Sequence, residues 1–151
     1  DYYLMDSIDF KIINFLSKNA KIPIAELSGQ IGISGAAIHK RIKKLENKKI
    51  FTGSQINIDP KKVGFTTLAF IGIYLEKAID VNFAIKKLKA IEEITECHYT
   101  TGDWSILVKI YCKDNQHLMK LLNEKIQAIK GVSRTETFIS LNQQISRQIR
   151  I

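Results

Sequence analysis

The sequence predicts an α+β protein in which an N-terminal winged helix-turn-helix precedes a C-terminal ferredoxin-like βαββαβ domain. Three observations support this fold class. Two short amphipathic segments meet at Gly32, a strand–helix–strand pattern occurs twice in the second part of the chain, and Asp59-Pro60 interrupts the hydrophobic pattern between the two parts. We therefore predict one domain over residues 1–60 and a second over residues 61–151.

The first three helices are predicted from apolar residues at spacings of three and four. Asp6 or Ser7 can cap the first helix, and Pro23 fits the first position of the second. Gly32 is expected to end the second helix in the left-handed conformation, and Ser34 to cap the third. The predicted inward residues of the three helices are Ile8, Ile12, Phe15, Leu16, Ile24, Leu27, Ile31, Ile38, Ile42 and Leu45.

The third helix carries a cationic outward face. At about 100° per residue, Ala36, Lys40, Lys43 and Asn47 lie opposite its apolar stripe. Small residues would let the backbone approach a surface and lysines would neutralise phosphates, as in a recognition helix presented to the major groove of DNA. The alternative is that such a helix pair belongs to another helical protein and that its lysines form an ordinary solvated face.

Charge favours the DNA-binding interpretation. The chain has 151 residues and a net charge of +8, and residues 40–49 contain six Lys and Arg against one Glu, which gives +5 in this window. We expect the groove to be faced by Ala36, His39, Lys40 and Lys43, with Gly35 allowing close approach. The expected phosphate contacts are Ser34, Arg41, Lys44 and Lys48. For His39 the alternative is a surface histidine without a base contact.

An extended segment and an internal repeat follow. Residues 50–58 (IFTGSQINI) resemble the wing or outgoing strand of a winged helix-turn-helix. The repeat consists of strand, helix and strand at 68–75, 81–91 and 94–101, and again at 105–112, 118–129 and 132–141. This order folds into a four-stranded antiparallel sheet with both helices on one face. Because the first strand is apolar on both sides, we expect the second face of the sheet to meet another subunit.

Several classes of protein are disfavoured. No apolar run approaches the roughly 20 residues needed to cross a bilayer, and we expect no signal peptide before the first helix. Cys97 and Cys112 fit no metal spacing and lie in strand-like segments, which favours reduced thiols in a cytoplasmic protein over a structural disulfide. The three histidines are too dispersed for a metal site. We expect neither a metal nor a cofactor.

Several segments, in order, resemble the Lrp/AsnC family of transcription regulators, also called feast/famine regulators. The resemblance covers nearly the whole chain and rests on DSIDFKIINFL, IPIAELSGQIGIS before IHKRIKKLE, INIDPKKVGF, HYTTGDWSILVKIY and VSRTETFISL. The YTTG…SI…K form is closer to the AsnC branch than to the leucine-responsive branch. One departure is Ser105, where an aspartate is common in the wider family.

The resemblance implies a homodimer that binds double-stranded DNA through the helix-turn-helix and assembles into a higher oligomer, an octamer in many members. It also implies that a small amino acid binds between dimers near the loop joining the middle strands; AsnC-type members respond to asparagine. The implied effector residues are Thr100, Thr101, Gly102, Asp103, Trp104 and Ser105, with Thr135, Glu136 and Thr137 on the last strand as weaker candidates.

The loop also suits such a ligand chemically. An α-amino acid presents a carboxylate that needs donors and an ammonium that needs acceptors. Gly102 lets the backbone approach, Asp103 can pair with the ammonium and Trp104 can wall the pocket, beside the hydroxyls of Thr100, Thr101 and Ser105. The alternative is an ordinary Gly-Asp hairpin turn with Trp104 as packing, and a solvated face at residues 135–137.

We predict a regulator and not an enzyme, because the sequence has no nucleophile with a base, no paired carboxylates and no phosphate-binding loop. Two alternatives are an effector-independent DNA-architectural protein and an enzyme like the sirohaem decarboxylases, which resemble Lrp/AsnC proteins. His98 lies in the predicted sheet and is the histidine available for such chemistry. The enzyme alternative leaves the cationic helix unexplained.

Overall fold

The computed structural model describes residues 4–151. This part of the chain divides into two compact units. One contains the chain up to Asn57 together with Ile145–Ile151, and the other is Ile58–Gln144. The compact units therefore differ from the predicted division at residue 60, because the last residues of the chain group with the helical unit.

The first unit is built from α1 (Ser7–Lys18), α2 (Ile24–Ile31) and α3 (Gly35–Asn47). These helices confirm the predicted helix-turn-helix. Four fully buried residues at its centre, all predicted as inward, are Ile12, Leu27, Ile38 and Leu45. A reciprocal cap fixes the start of α1: the Asp6 carboxylate accepts from the backbone N–H groups of Ile8 and Asp9, and the Asp9 carboxylate accepts from Asp6 N–H.

The turn between α2 and α3 follows the predicted chemistry. Gly32 ends α2 with φ 82°, in the left-handed region that glycine adopts without a steric penalty. The Ser34 hydroxyl oxygen accepts from Ala37 N–H at 3.2 Å and so caps α3. Gly32 therefore ends α2 and Ser34 begins α3, as predicted.

The segment predicted over residues 50–58 as a wing or outgoing strand forms no strand. Residues 52–58 are exposed and contain neither helix nor strand. A lone strand has no partner for its backbone groups and no covered face, so it does not persist in water. Over residues 4–151 of the single chain, the helix-turn-helix therefore has no paired wing.

The second unit contains β1 (Thr67–Leu75), α4 (Val81–Leu88), β2 (Ile94–Tyr99), β3 (Ile106–Cys112), α5 (Asn115–Leu121) and β4 (Val132–Ile139). Its sheet is antiparallel with the order β2-β3-β1-β4, which confirms the ferredoxin-like prediction. One difference follows α5, where the predicted helix to residue 129 gives way to a π-helical segment, Leu122–Ile126.

The two faces of this sheet differ. Alternate strand residues such as Ile71, Ile73, Val108 and Ile110 are fully buried in the core that α4 and α5 cover. The residues between them form what we call the open face: Leu68, Phe70, Gly72, Tyr74, Leu107, Lys109, Tyr111, Arg134, Glu136 and Phe138. Most of its large apolar side chains are only half-buried, and Phe138 is 51% exposed.

Within the described residues, no helix is both long enough and apolar enough to span a membrane. Both cysteines in the described chain are free thiols.

The chemistry of Cys112 gives a first prediction. This thiol is fully buried, and burial, with Glu93 and Asp114 nearby, raises its pKa to about 11. Because the thiolate is the reactive form, Cys112 should resist iodoacetamide at pH 8 in the native protein and react after unfolding in urea. Mass spectrometry of the labelled peptides measures this; rapid native labelling of Cys112 would contradict its burial.

Candidate functional site

The exposed surface of α3 carries the residues predicted to face DNA. Ala36, His39, Lys40 and Lys43 are all exposed, and we call them the recognition face. Lys40 and Lys43 are three residues apart and therefore neighbours on one side of the helix. Lys44 and Lys48 are exposed beside this face, and Ser34 sits at the start of the helix. The structure thus brings these predicted residues onto one helix.

Gly35 has a packing role that the sequence analysis did not predict. It is half-buried, and a Cβ added there would lie 3.3 Å from Cγ2 of Ile24 in α2. Its small size therefore serves the close packing of α3 against α2. Ala36 is exposed, and the prediction that it lets the helix approach a surface stays a prediction.

Arg41 is likewise engaged inside the helical unit. Its Nη1 lies 2.8 Å from the Asp6 carboxylate and 2.7 Å from Oδ1 of Asp9, which is only 1% exposed. We call this group the Arg41 clasp. This ion pair joins α3 to the start of α1, so the predicted phosphate contact of Arg41 stays a prediction that has to compete with two carboxylates. The helical period could have indicated this inward position, because Arg41 lies about 40° around the helix from the buried Leu45 and about 140° from the exposed Ala36.

The Arg41 clasp shifts the pKa values of its charged groups. Hydrogen bonds from Asp9 N–H and from the Arg41 guanidinium lower the pKa of the Asp6 carboxyl below 3.8. The two carboxylates in turn raise the pKa of Arg41. A depressed carboxyl pKa means that the ionised form stabilises the folded unit.

The loop between β2 and β3 contains the predicted effector residues. Thr100 Oγ1 donates to the carbonyl of Trp104 at 2.6 Å, and Thr100 N–H donates to the carbonyl of Ser105 at 3.0 Å. Between them, Thr101, Gly102 and Asp103 are exposed, and Gly102 has φ 99°. The loop is therefore a closed hairpin connection whose tip presents the Asp103 carboxylate.

The Trp104 side chain joins this loop to the open face. Its Nε1–H donates to Oε2 of Glu136 at 2.8 Å, and its ring meets Phe138 edge-on with centroids 5.7 Å apart. Glu136 is thereby brought to the predicted loop. Sequence reasoning missed Gly72, where an added Cβ would lie 2.5 Å from the indole. A glycine inside a strand was the available signal, because it marks close approach by another group.

Thr135 and Thr137 do not join Glu136. Consecutive strand residues face opposite sides of a sheet, so these two threonines lie on the helix-covered side. Thr135 accepts a hydrogen bond from Gln127 Nε2 at 3.0 Å. The three residues predicted together therefore do not form a single surface.

His98 does not lie in an enclosed site. It is 60% exposed, and its Nε2 lies 3.5 Å from Glu96, which also pairs with Lys109 at 3.0 Å. The Lys109 ammonium, with a smaller contribution from His98, lowers the pKa of Glu96. Among the described residues, no group of three or more His, Cys, Asp or Glu is arranged to hold a metal ion.

Comparison with known families accounts for both units. Residues 5–46 match the model of the AsnC-type helix-turn-helix domain, and residues 68–149 match that of the Lrp/AsnC ligand binding domain. The regulatory protein AsnC of Escherichia coli K12 is 40% identical over 148 residues, which cover 98% of this chain and 97% of AsnC. The transcriptional regulator Ptr1 of Methanocaldococcus jannaschii is 36% identical over 130 residues, 86% of this chain and 87% of Ptr1.

Solved structures agree. The structure of E. coli AsnC superposes with a TM-score of 0.94 at 40% identity, over 99% of this chain and 100% of that one. A feast or famine regulatory protein from M. tuberculosis, complexed with L-methionine, gives a TM-score of 0.91 at 28% identity, over 98% and 100% of the two chains. The relatives bear the names of regulators, which confirms the prediction of a regulator over an enzyme. The chain belongs to the Lrp/AsnC family of transcription regulators.

Proposed function

We propose that this regulator binds specific DNA sites through the recognition face and changes that binding when a small amino acid, asparagine as the best candidate, occupies the Thr100–Ser105 loop. The observation that carries the DNA-binding part is the exposed row of Ala36, Lys40 and Lys43 on a helix held at the turn by Gly32 and Ser34. A helix fits the major groove, where side chains read base edges.

The effector part rests on the loop. Asp103 offers an exposed carboxylate for the ammonium of an amino acid, and Gly102 lets the carboxylate of the ligand come close to backbone N–H groups. The methionine complex of the mycobacterial relative supports an amino acid as the class of ligand. The likeness to AsnC favours asparagine within that class.

The open face supports a homodimer. It presents half-buried Leu68, Phe70 and Leu107 with the exposed Phe138, a surface that a second copy would remove from water. A dimer would place two recognition helices about 34 Å apart, or a multiple of this, to meet successive major-groove half-sites. We further propose that dimers assemble into an octamer and that the protein works in the cytoplasm, where its DNA sites and reduced thiols would be found.

The mechanism follows from linkage. An amino acid that binds between dimers can alter DNA binding only if its affinity differs between two arrangements of the assembly. The expected consequence is a change in the spacing of the recognition helices or in the size of the oligomer. By the same linkage, operator DNA changes the affinity for the amino acid by the same factor.

Thermal unfolding with each of the twenty amino acids tests the effector. A ligand at 100 times its Kd stabilises the native state by about 2.7 kcal/mol, which raises the melting temperature measurably. Asparagine should give the largest rise. If no amino acid changes the melting temperature while specific DNA binding persists, the effector part of the proposal fails and the DNA-binding part stands.

Replacing Asp103 with alanine should abolish the stabilisation by asparagine, because the ammonium loses its proposed counter-charge. DNA affinity without effector should stay at the wild-type value, since Asp103 lies in the sheet unit. Titration calorimetry and a gel shift measure the two quantities. Glu124→Ala, which removes one exposed carboxylate from the π-helical segment, is the matched control. Undiminished binding by Asp103→Ala would move the pocket elsewhere.

A further inference from the structure

We propose that Trp104 is a positioning residue, which holds the Thr100–Ser105 loop in its effector-binding conformation. Its indole packs directly against Gly72 and donates a hydrogen bond to Glu136. The inference rests on the proposed effector function and assigns Glu136 a role through Trp104 in place of direct contact with the ligand.

The seat on Gly72 is steric. Gly72 lies within β1, where it pairs with Leu107 of β3 and Glu136 of β4. A Cβ at this position would lie 2.5–2.6 Å from Cδ2, Cε2 and Cγ of the indole, far inside van der Waals contact. The indole therefore occupies the space that a side chain would take, and only glycine leaves it free.

The tie to Glu136 is directional. The indole has a single donor, and Nε1–H is used on Oε2 of Glu136 at 2.8 Å. Arg134 lies 3.7 Å from the other carboxylate oxygen of Glu136, while its guanidinium stacks 4.0 Å above the centre of the Tyr74 ring. The Glu136 carboxylate is thus fixed by its neighbours in the sheet, and it fixes the indole in turn.

The loop is fixed at the same residue from the other side. The Trp104 carbonyl accepts from Thr100 Oγ1 at 2.6 Å, and Ser105 N–H donates to the carbonyl of Ile73, next to Gly72, at 3.1 Å. Trp104 therefore connects the exposed tip at Asp103 to β1 and β4 through both its main chain and its side chain. If the indole moves, the loop tip at Asp103 is no longer held in place by these contacts. A ligand must then order the loop when it binds, which lowers its affinity.

Four variants separate this role from direct contact. Gly72→Ala displaces the indole, Trp104→Phe keeps an apolar ring without the N–H donor, and Glu136→Ala removes the acceptor. Glu136→Gln keeps an acceptor oxygen for the indole but removes the charge that an ammonium would need. The matched glycine control is Gly29→Ala, because nothing lies within 4 Å of a Cβ added there.

L-asparagine binding is measured by titration calorimetry, and the environment of the indole by emission wavelength and acrylamide quenching. Trp104 is the only tryptophan of the chain, so both signals report on it alone. We expect Gly72→Ala to show red-shifted emission that acrylamide quenches more strongly. Gly72→Ala, Trp104→Phe and Glu136→Ala should each bind L-asparagine at least tenfold more weakly, the scale of one charge-assisted hydrogen bond. Glu136→Gln should bind L-asparagine as the wild type does. The double variant Trp104→Phe with Glu136→Ala should bind it no more weakly than the weaker of the two single variants, because both changes remove the same contact.

Each contrary outcome has a distinct meaning. Wild-type affinity in Gly72→Ala with a displaced indole overturns the positioning role and leaves the effector function intact. Equal losses in Glu136→Gln and Glu136→Ala overturn it in favour of direct contact between the Glu136 charge and the ligand. A wild-type protein that binds no amino acid overturns the proposed effector function itself. An unchanged melting temperature of the ligand-free variants separates this role from general destabilisation.

Discussion

Replacing Lys40 and Lys43 together with alanine should weaken specific DNA binding by about 100-fold, since each base or phosphate contact contributes about 1–3 kcal/mol. The plot of log K against log salt should also become shallower, by about 0.9 for each phosphate contact that is lost. Both effects follow from the position of these lysines on the recognition face. Fluorescence anisotropy with labelled operator DNA at several salt concentrations measures them.

A matched control separates this contact from net charge. Lys86 and Lys89 lie near the end of α4, are also exposed and are also three residues apart. The variant Lys86→Ala with Lys89→Ala changes the charge equally and should bind DNA almost as the wild type does. Equal weakening by both double variants would mean that the total charge, and not the recognition face, governs DNA binding.

Replacing Arg41 with methionine should lower the free energy of unfolding of the helical unit by about 3 kcal/mol, the lower end of the range for breaking a buried ion pair. The reason is Asp9, whose carboxylate is 1% exposed and lies 2.7 Å from the guanidinium. Adding Asp9→Asn to this variant should recover most of the loss, because the amide keeps an acceptor for Asp6 N–H without a buried charge.

Two spectroscopic signals locate the effect. Urea unfolding followed by circular dichroism at 222 nm reports mainly on α1, α2 and α3, which contain most of the α-helical residues, with a smaller contribution from the helices of the sheet unit. The fluorescence of Trp104 reports on the sheet unit alone. Arg41→Met should shift the first transition and leave the second in place. Lys40→Ala, which removes an exposed cation from the same helix, is the control. A variant as stable as the wild type would show that the Arg41 clasp is not needed for the helical unit.

The same clasp predicts how stability depends on pH. Because the folded state lowers the pKa of Asp6 below 3.8, the stabilisation is complete above about pH 4–5 and is lost as the pH falls through the folded pKa. In Arg41→Met the pKa of Asp6 is lowered less, so acid unfolding of the helical unit should begin at a higher pH.

Much of the fold could be predicted because local rules and global packing agree. The apolar spacing of α1 to α3, Gly32 at the turn and the Ser34 cap each act within a few residues. The repeat in the second half likewise determines the order of strands and helices. The wing over residues 50–58 was not predictable in the same way, because a strand depends on a partner that its own sequence does not specify.

The site was less accessible to sequence reasoning, because its contacts join residues far apart in the chain. Arg41 meets Asp6 and Asp9 across more than 30 positions, and Trp104 meets Glu136 across 32. Residue type alone marked Arg41 as a cation for DNA and Glu136 as one of three equivalent candidates. Strand alternation separates Glu136 from Thr135 and Thr137, and the space above Gly72 becomes visible only once three strands are aligned.

The return of residues 145–151 to the helical unit makes that unit discontinuous in sequence, with the whole sheet unit inserted between its two segments. The carbonyl of Ile151 accepts a hydrogen bond from the Asn14 side chain of α1, so this last segment is bound to the first helix. During synthesis the three helices emerge first, yet residues 145–151 can join the unit that carries the recognition face only after residues 58–144 have been made. The contact of residues 145–151 with the helical unit therefore forms after synthesis of the unit proposed to sense the effector.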